Sequence, residues 1–443
     1  MGIGEAWIEI AADDLARMIG KSAQSGLAEA DPSVLGKIPG PSVRQRAMDL
    51  GTEKKARYNV LFLCPSLVGA GVERRVCTLL NHFDSGRYAV SLGLLRLEGE
   101  FLREVGQDRI FHVAPPLAWL GRWLRAIPPL ATVFNFFAAL YQQRRMLARL
   151  QPDIVVTFTM ETTLPLALIS AMLKERRICW VISEDSNTAE ATLHLCKSRR
   201  LAAPVLAVLG GAYRKADAVT AVSTAVGKAL QTYYRIPGRT ITVIANPIDS
   251  ERISRAGGNA QLPESDVPFV LAVGRLVKVK RFDLLLKAFA EARKQRAIHL
   301  VILGEGPEKR KLQRLAERLG IAGDVRLPGF VSNPWAYMRH ASVFVLTSKT
   351  EGFGNVLVEA MACGCPVIAT DSGGPSDIII DNTNGMITAD NPHAIGGAML
   401  ELLADEAKRK RLIRAAASDL SRYRPERICE QFYHLFEEVL RLS

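Results

Sequence analysis

"VFVLTSKTEGFGNVLVEAMACGCPVIAT", residues 343–370, decides how the rest of the chain is read. An apolar run ends at Thr347-Ser348, a short polar loop follows, Gly352-Phe353-Gly354 forms a turn, and "VLVEAMACG" has the length and spacing of a helix closed by Gly364. "PVIAT" then begins a second apolar run. Short continuous apolar runs separated by helices are what a parallel sheet covered on both faces requires, because no strand then has a water-facing side.

The same pattern repeats along most of the sequence. In the first half the runs are "NVLFLCPS", "AVSLGLLR", "RIFHVAPP", "DIVVTFT", "ICWVISE", "AVTAVS" and "TVIANP". In the second they are "FVLAVGRL", "HLVILGEGP", "VRLPGF", "VFVLTS", "PVIAT" and "GMIT". A length of 443 residues exceeds what one core supports, so two domains are expected, each a doubly wound α/β sheet. Residues 1–57 read as an N-terminal extension, 58–247 as the first domain and 248–267 as a linker. Residues 268–424 read as the second domain and 425–443 as an amphipathic C-terminal helix that packs back toward the first.

Composition narrows the function classes. Apolar residues make up 48% and charged residues 23%, an ordinary globular balance. A net charge of +12 favours anionic partners without naming them. The seven cysteines are an odd number and several sit in apolar runs, which suits reduced thiols in a cytoplasmic protein. Cys363 and Cys365 lack a second ligand pair, so no metal site is expected. "AIPPLATVFNFFAALY", 126–141, is too short to span a bilayer. Flanked by Trp119, Arg122, Trp123, Arg125, Arg144 and Arg145, it suits either a core helix or one lying on a membrane surface.

Ligands of doubly wound sheets bind beyond the carboxyl ends of the strands, so residues there carry the chemistry. Arg275 ends one run and Lys280 precedes the next helix, an arrangement that suits a phosphate, although two such residues taken alone read first as solvated cations. Gly352 and Gly354 allow the amides of Phe353, Gly354 and Asn355 to face a ligand, with Glu351 beside them to accept from sugar hydroxyls. Glu359 is the anomaly, a carboxylate between Val358 and Ala360-Met361 that must be paired if buried. Its partner is either a ribose diol or a basic side chain.

Four ordered segments, "GRLVKVKRFDLLLKAF", "LGEGPEKRKLQRLAERLG", "VRLPGFVSN" and "TSKTEGFGNVLVEAMACGCPVIATDSGGPSDII", resemble the donor domain of family 4 retaining glycosyltransferases. The resemblance runs from about Tyr58 to the end. It implies the GT-B fold, two Rossmann-like domains facing a central cleft, the first binding the acceptor and the second the nucleotide sugar. It implies that Arg275 and Lys280 hold the donor diphosphate, Glu351 with Phe353, Gly354 and Asn355 the transferred sugar and phosphate, and Glu359 the ribose. Val331 would meet the base, and Gly71 in "PSLVGAGVERRVCTLLNHF" would bring an amide to the phosphate.

Neither a cofactor nor a metal is expected; the co-substrate is a nucleoside diphosphate sugar. The acceptor would be a saccharide, here a lipid-linked one, on the cytoplasmic face of the membrane, with peripheral contact to anionic lipid and no nucleic-acid partner. One departure stands out. Many relatives carry a histidine at the end of "ICWVISEDSN", where this chain has Glu184-Asp185, so Asp185 by position, or else Glu184, is the candidate to orient or accept the acceptor's proton. An epimerase of the same fold and a non-catalytic subunit of a polysaccharide assembly are the competing readings.

Overall fold

The computed structural model describes residues 57–68, 71–116, 128–172, 178–186, 188, 199–238, 241–256 and 267–442. The N-terminal extension, Trp119, Arg122, Trp123 and Arg125, and the centre of the expected linker lie outside them. Two compact units result. One runs through Ala221 and takes in Gly227–Val243 and the stretch from Cys429; the other comprises Val222–Val226 and Ile244–Ile428.

In the first unit, strands β1 (Tyr58–Cys64), β2 (Tyr88–Leu94), β3 (Ile110–His112), β4 (Ile154–Thr157), β5 (Cys179–Glu184), β6 (Ala218–Ala221) and β7 (Ile241–Val243) form one sheet in the order β3-β2-β1-β4-β5-β6-β7. Every pairing is parallel. Between the strands lie α1 (Gly71–His82), α2 (Pro128–Leu150), α3 (Met160–Met172), α4 (Arg199–Lys215) and α5 (Thr224–Tyr234). β4 and β5 are buried at every position, the continuous apolar signature read from the sequence.

The second unit has β8 (Phe269–Val273), β9 (His299–Leu303), β10 (Val325–Gly329), β11 (Val343–Leu346), β12 (Val367–Thr370) and β13 (Met386–Thr388), ordered β10-β9-β8-β11-β12-β13 and again parallel. Its helices are α6 (Ser250–Arg255), α7 (Phe282–Arg293), α8 (Lys309–Arg318), α9 (Pro334–His340), α10 (Asn355–Ala362), α11 (Pro375–Ile378), α12 (Pro392–Ala404) and α13 (Glu406–Asp419). Alternation along β8 divides the core in two. Val270 and Ala272 join a cluster with Leu285 and Phe289 of α7 and Met399 of α12. Phe269 and Leu271 join another with Met338 of α9 and Leu357 of α10. Each large side chain buried this way contributes about 1.5–3 kcal/mol.

From Cys429 onward the C-terminal helix α14 (Pro425–Leu442) belongs to the first unit and lays aromatic rings on Phe83 and the start of β2. Tyr433 stacks on Tyr88 at 4.9 Å and meets Phe83 edge-on at 5.2 Å. The expected linker differs from a plain loop: Asp249 caps α6 by accepting from the Arg252 amide at 2.8 Å, and Ile253 is buried. A cap and one apolar anchor suffice to make that segment part of the second unit.

Strand order reverses direction between β1 and β4 in the first unit and between β8 and β11 in the second. At such a point the crossover helices leave to opposite faces, and the crevice opened beyond the strand ends is where ligands bind.

Candidate active site

Arg275 and Glu351 lie just past the carboxyl ends of β8 and β11, the two strands that flank the reversal in the second unit. The turn after β8 is tied to the end of β11. Thr347 Oγ1 donates to the carbonyls of Lys280 and Arg281 at 3.0 and 3.2 Å, and the Lys349 amide donates to the Val279 carbonyl at 2.8 Å. These bonds deliver Lys280 to Glu351. Its Nζ lies 2.6 Å from Glu351 Oε2, which also accepts from Ser348 Oγ at 2.8 Å. Both members of the pair keep some exposure, 20% and 16%. Arg275 is exposed and has no ion pair or side-chain hydrogen bond among the described residues.

Gly354 stands at φ +103° as the N-cap of α10, a left-handed conformation that favours glycine. It contributes no side-chain cap, and the amides of Phe353, Gly354 and Asn355 find no protein acceptor among the described residues. The Asn355 side chain is held aside, its Oδ1 accepting from Asn246 Nδ2 at 2.8 Å. A helix N-terminus left open in this way suits an anion. The turn after β12 presses from behind: Glu351 and Gly373 form a bridge, and the Gly374 amide donates to the Glu351 carbonyl at 2.9 Å. A Cβ on Gly374 would come within 2.5 Å of Phe353 Cα and 2.6 Å of the Gly352 carbonyl oxygen. Gly374→Ala is therefore expected to displace the Phe353 turn, costing roughly 1–3 kcal/mol of stability and weakening any ligand held there, as read by thermal unfolding and ligand titration.

Glu359, one helical turn inward, is 4% exposed, and its Oε2 accepts from the Trp335 indole Nε1 at 3.0 Å. Of the two partners expected for this carboxylate, the sequence had not suggested an indole. A tryptophan at the start of α9, "NPWAYM", was the available signal, since a buried indole N–H requires an acceptor. Val331 follows β10, partly buried, beside the exposed Phe330.

The first unit holds Gly71 and Asp185. Gly71 is the exposed first residue of α1. One turn later Arg75, fully buried, bonds Asp185 Oδ1 and sits 5.6 Å from the centre of the Phe432 ring. Asp185 is 6% exposed, and its Oδ2 has no partner among the described residues. Burial pushes its carboxyl above the ordinary aspartate value, and Arg75 pulls it back. Glu184 accepts from Thr188 at 2.5 Å, from Ser186 at 3.2 Å and from the Tyr213 hydroxyl; burial likewise raises its carboxyl. Arg75 was missed in the sequence, although an arginine on the apolar face of a helix signals a buried acidic partner.

The family model described as "Glycosyl transferases group 1" matches residues 259–419, and "Glycosyltransferase Family 4" matches 69–252. The chain belongs to the group 1 glycosyltransferases of family 4. This family 4 chain is 35% identical over 201 residues to the N-acetylgalactosamine-N,N'-diacetylbacillosaminyl-diphospho-undecaprenol 4-alpha-N-acetylgalactosaminyltransferase of Campylobacter jejuni, covering 45% of this chain and 54% of that one. To the lipopolysaccharide core biosynthesis glycosyltransferase LpsE of Rhizobium meliloti it is 33% identical over 175 residues, covering 39% and 51%. It thus spans about half the length of these curated relatives. Among solved structures, HepE of Anabaena in complex with UDP-glucose superposes with a TM-score of 0.67 at 20% identity, covering 86% of this chain and all of that one. Sucrose-phosphate synthase from Thermosynechococcus elongatus superposes at 0.70 and 19%, covering 87% and 100%. At those identities the likeness establishes the two-domain GT-B fold alone.

Proposed function

We propose that this protein transfers a sugar from a nucleoside diphosphate sugar to an acceptor hydroxyl with retention at the anomeric carbon. The observation that carries the reading is that Lys280 is bound to Glu351 on the loop leading to the open α10 N-terminus, past the strands where the order reverses, with Arg275 two residues beyond the end of β8. The leaving diphosphate gains charge as the glycosidic bond breaks. Cations and amides fixed at that spot stabilise the transition state more than the ground state, which is what lowers a barrier. Glu351 would receive the sugar hydroxyls and Glu359 the ribose diol, with Val331 near the base. No metal enters this scheme. The departing phosphate oxygen takes the acceptor proton on the same face, and Asp185, engaged by Arg75, holds the start of α1 in place.

Thermal unfolding across a panel of nucleotide sugars tests the reading. A true donor at a hundred times its Kd should stabilise the fold by about 2.7 kcal/mol, and a panel with no shift rejects the donor site. Glu359→Gln keeps an oxygen for Trp335 but removes the charge offered to the diol. Nucleotide affinity should fall about ten- to a hundredfold in calorimetry, the equivalent of one charged hydrogen bond.

The acceptor we propose is a lipid-linked saccharide at an anionic membrane surface. The named relatives from Campylobacter and Rhizobium act on an undecaprenol-linked sugar and in lipopolysaccharide core synthesis, by their descriptions. No helix among the described residues is long and apolar enough to cross a membrane. Helix α2, however, exposes Leu130, Phe137 and Tyr141 along one stripe, continued by exposed Arg144 and Arg145. Such a face inserts shallowly while its arginines meet lipid phosphate. Co-sedimentation with phosphatidylglycerol vesicles at low salt should be lost largely in Phe137→Asp, and wild-type protein that stays in the supernatant removes the membrane from the proposal.

A further inference from the structure

A second pocket lies on the same unit, lined by none of the residues assigned to the donor. It encloses about 680 Å³ between the turn after β8, helix α8 and Lys349. Small-molecule sites fall in the range of roughly 300–1,000 Å³. Val277, Phe282, Leu312 and Leu315 supply its apolar surface, with Phe282 and Leu312 almost fully buried.

Its rim is cationic beyond what its own acids neutralise. Lys311 pairs with Glu308 at 2.7 Å, Lys287 faces Asp283 at 3.8 Å, and Arg281 is bound to Asp390. That accounts for both acidic lining residues. Lys278, Arg318 and Lys349 remain, all exposed and without an acidic partner among the described residues. Like charges gathered around one opening repel one another unless an anion joins them.

We propose that this pocket is a separate ligand site for a phosphorylated amphiphile. Its phosphate oxygens would meet Lys278, Lys349 and Arg318, and its apolar part would lie over Phe282, Leu312 and Leu315. The site borders the donor residues through backbone, since Lys349 donates to Val279 on the turn that carries Lys280. A ligand gripping both lysines therefore clamps that turn. A soluble phosphorylated molecule and a lipid headgroup offer the same chemistry, and they are separable by experiment.

The test titrates the full chain with geranyl diphosphate, with inorganic pyrophosphate and with phosphatidylglycerol vesicles. Three proteins are compared: wild type, Lys278→Glu/Lys349→Glu, and Arg275→Ala/Lys280→Ala. Geranyl diphosphate should bind wild type and Arg275→Ala/Lys280→Ala alike and bind Lys278→Glu/Lys349→Glu about tenfold or more weakly, with the unfolding midpoint of that exposed double variant unchanged. Vesicle binding that falls with the same charge reversal supports a headgroup as the source; geranyl diphosphate binding alone supports a soluble one. Affinity unaffected by the reversal, binding abolished by Arg275→Ala/Lys280→Ala, or pyrophosphate binding as tightly as geranyl diphosphate each overturns the proposal. None of those results touches the donor reading, which stands or falls on the nucleotide-sugar thermal shift.

Discussion

Lys280→Ala is expected to lower the turnover rate of sugar transfer by about 10² to 10³, the loss seen when one fixed donor to a developing anion is removed. Lys280 is bound to Glu351, which holds its ammonium at the proposed site. Deleting it leaves Glu351 with the Ser348 hydroxyl and partial access to water. The stability cost is then modest, about 1 kcal/mol. A purely structural ion pair predicts the opposite pattern, a lowered unfolding midpoint with turnover intact. Steady-state kinetics beside thermal unfolding distinguishes the two. Turnover within a few-fold of wild type would remove Lys280 from the chemistry.

The architecture was legible because a buried parallel strand has a simple signature, and each of the thirteen apolar runs overlaps one strand. Strand ends were legible too, which placed Arg275, Lys280 and Glu351 beyond the carboxyl ends of β8 and β11. Which charges meet was not. Lys280 reaches Glu351 across 71 residues, and Arg75 reaches Asp185 across 110. Contacts that distant depend on sheet order, and periodicity says nothing of order. Glu359 shows the same limit at shorter range. Its burial was readable from Val358 and Ala360-Met361, yet the indole that donates to it comes from α9, a helix of seven residues and so only about two turns of pattern.

The buried pair in the first unit carries the second strong expectation. Arg75→Ala and Asp185→Ala should each destabilise the protein by about 3–5 kcal/mol, because removing one partner strands the other charge away from water. The side chains are 0% and 6% exposed, so solvent cannot compensate. Replacing both by apolar residues of similar size, Arg75→Met with Asp185→Leu, should recover most of the loss, since desolvation of two ions nearly cancels their attraction. Denaturant unfolding of the three variants measures this directly. Kinetics then separates position from proton transfer. If Asp185 only anchors α1 through Arg75, the double apolar variant retains turnover with an unaltered pH profile. If Asp185 is the base, the same variant folds normally yet loses turnover along with the acidic limb of its pH–rate curve. That result would assign the acceptor's proton to Asp185.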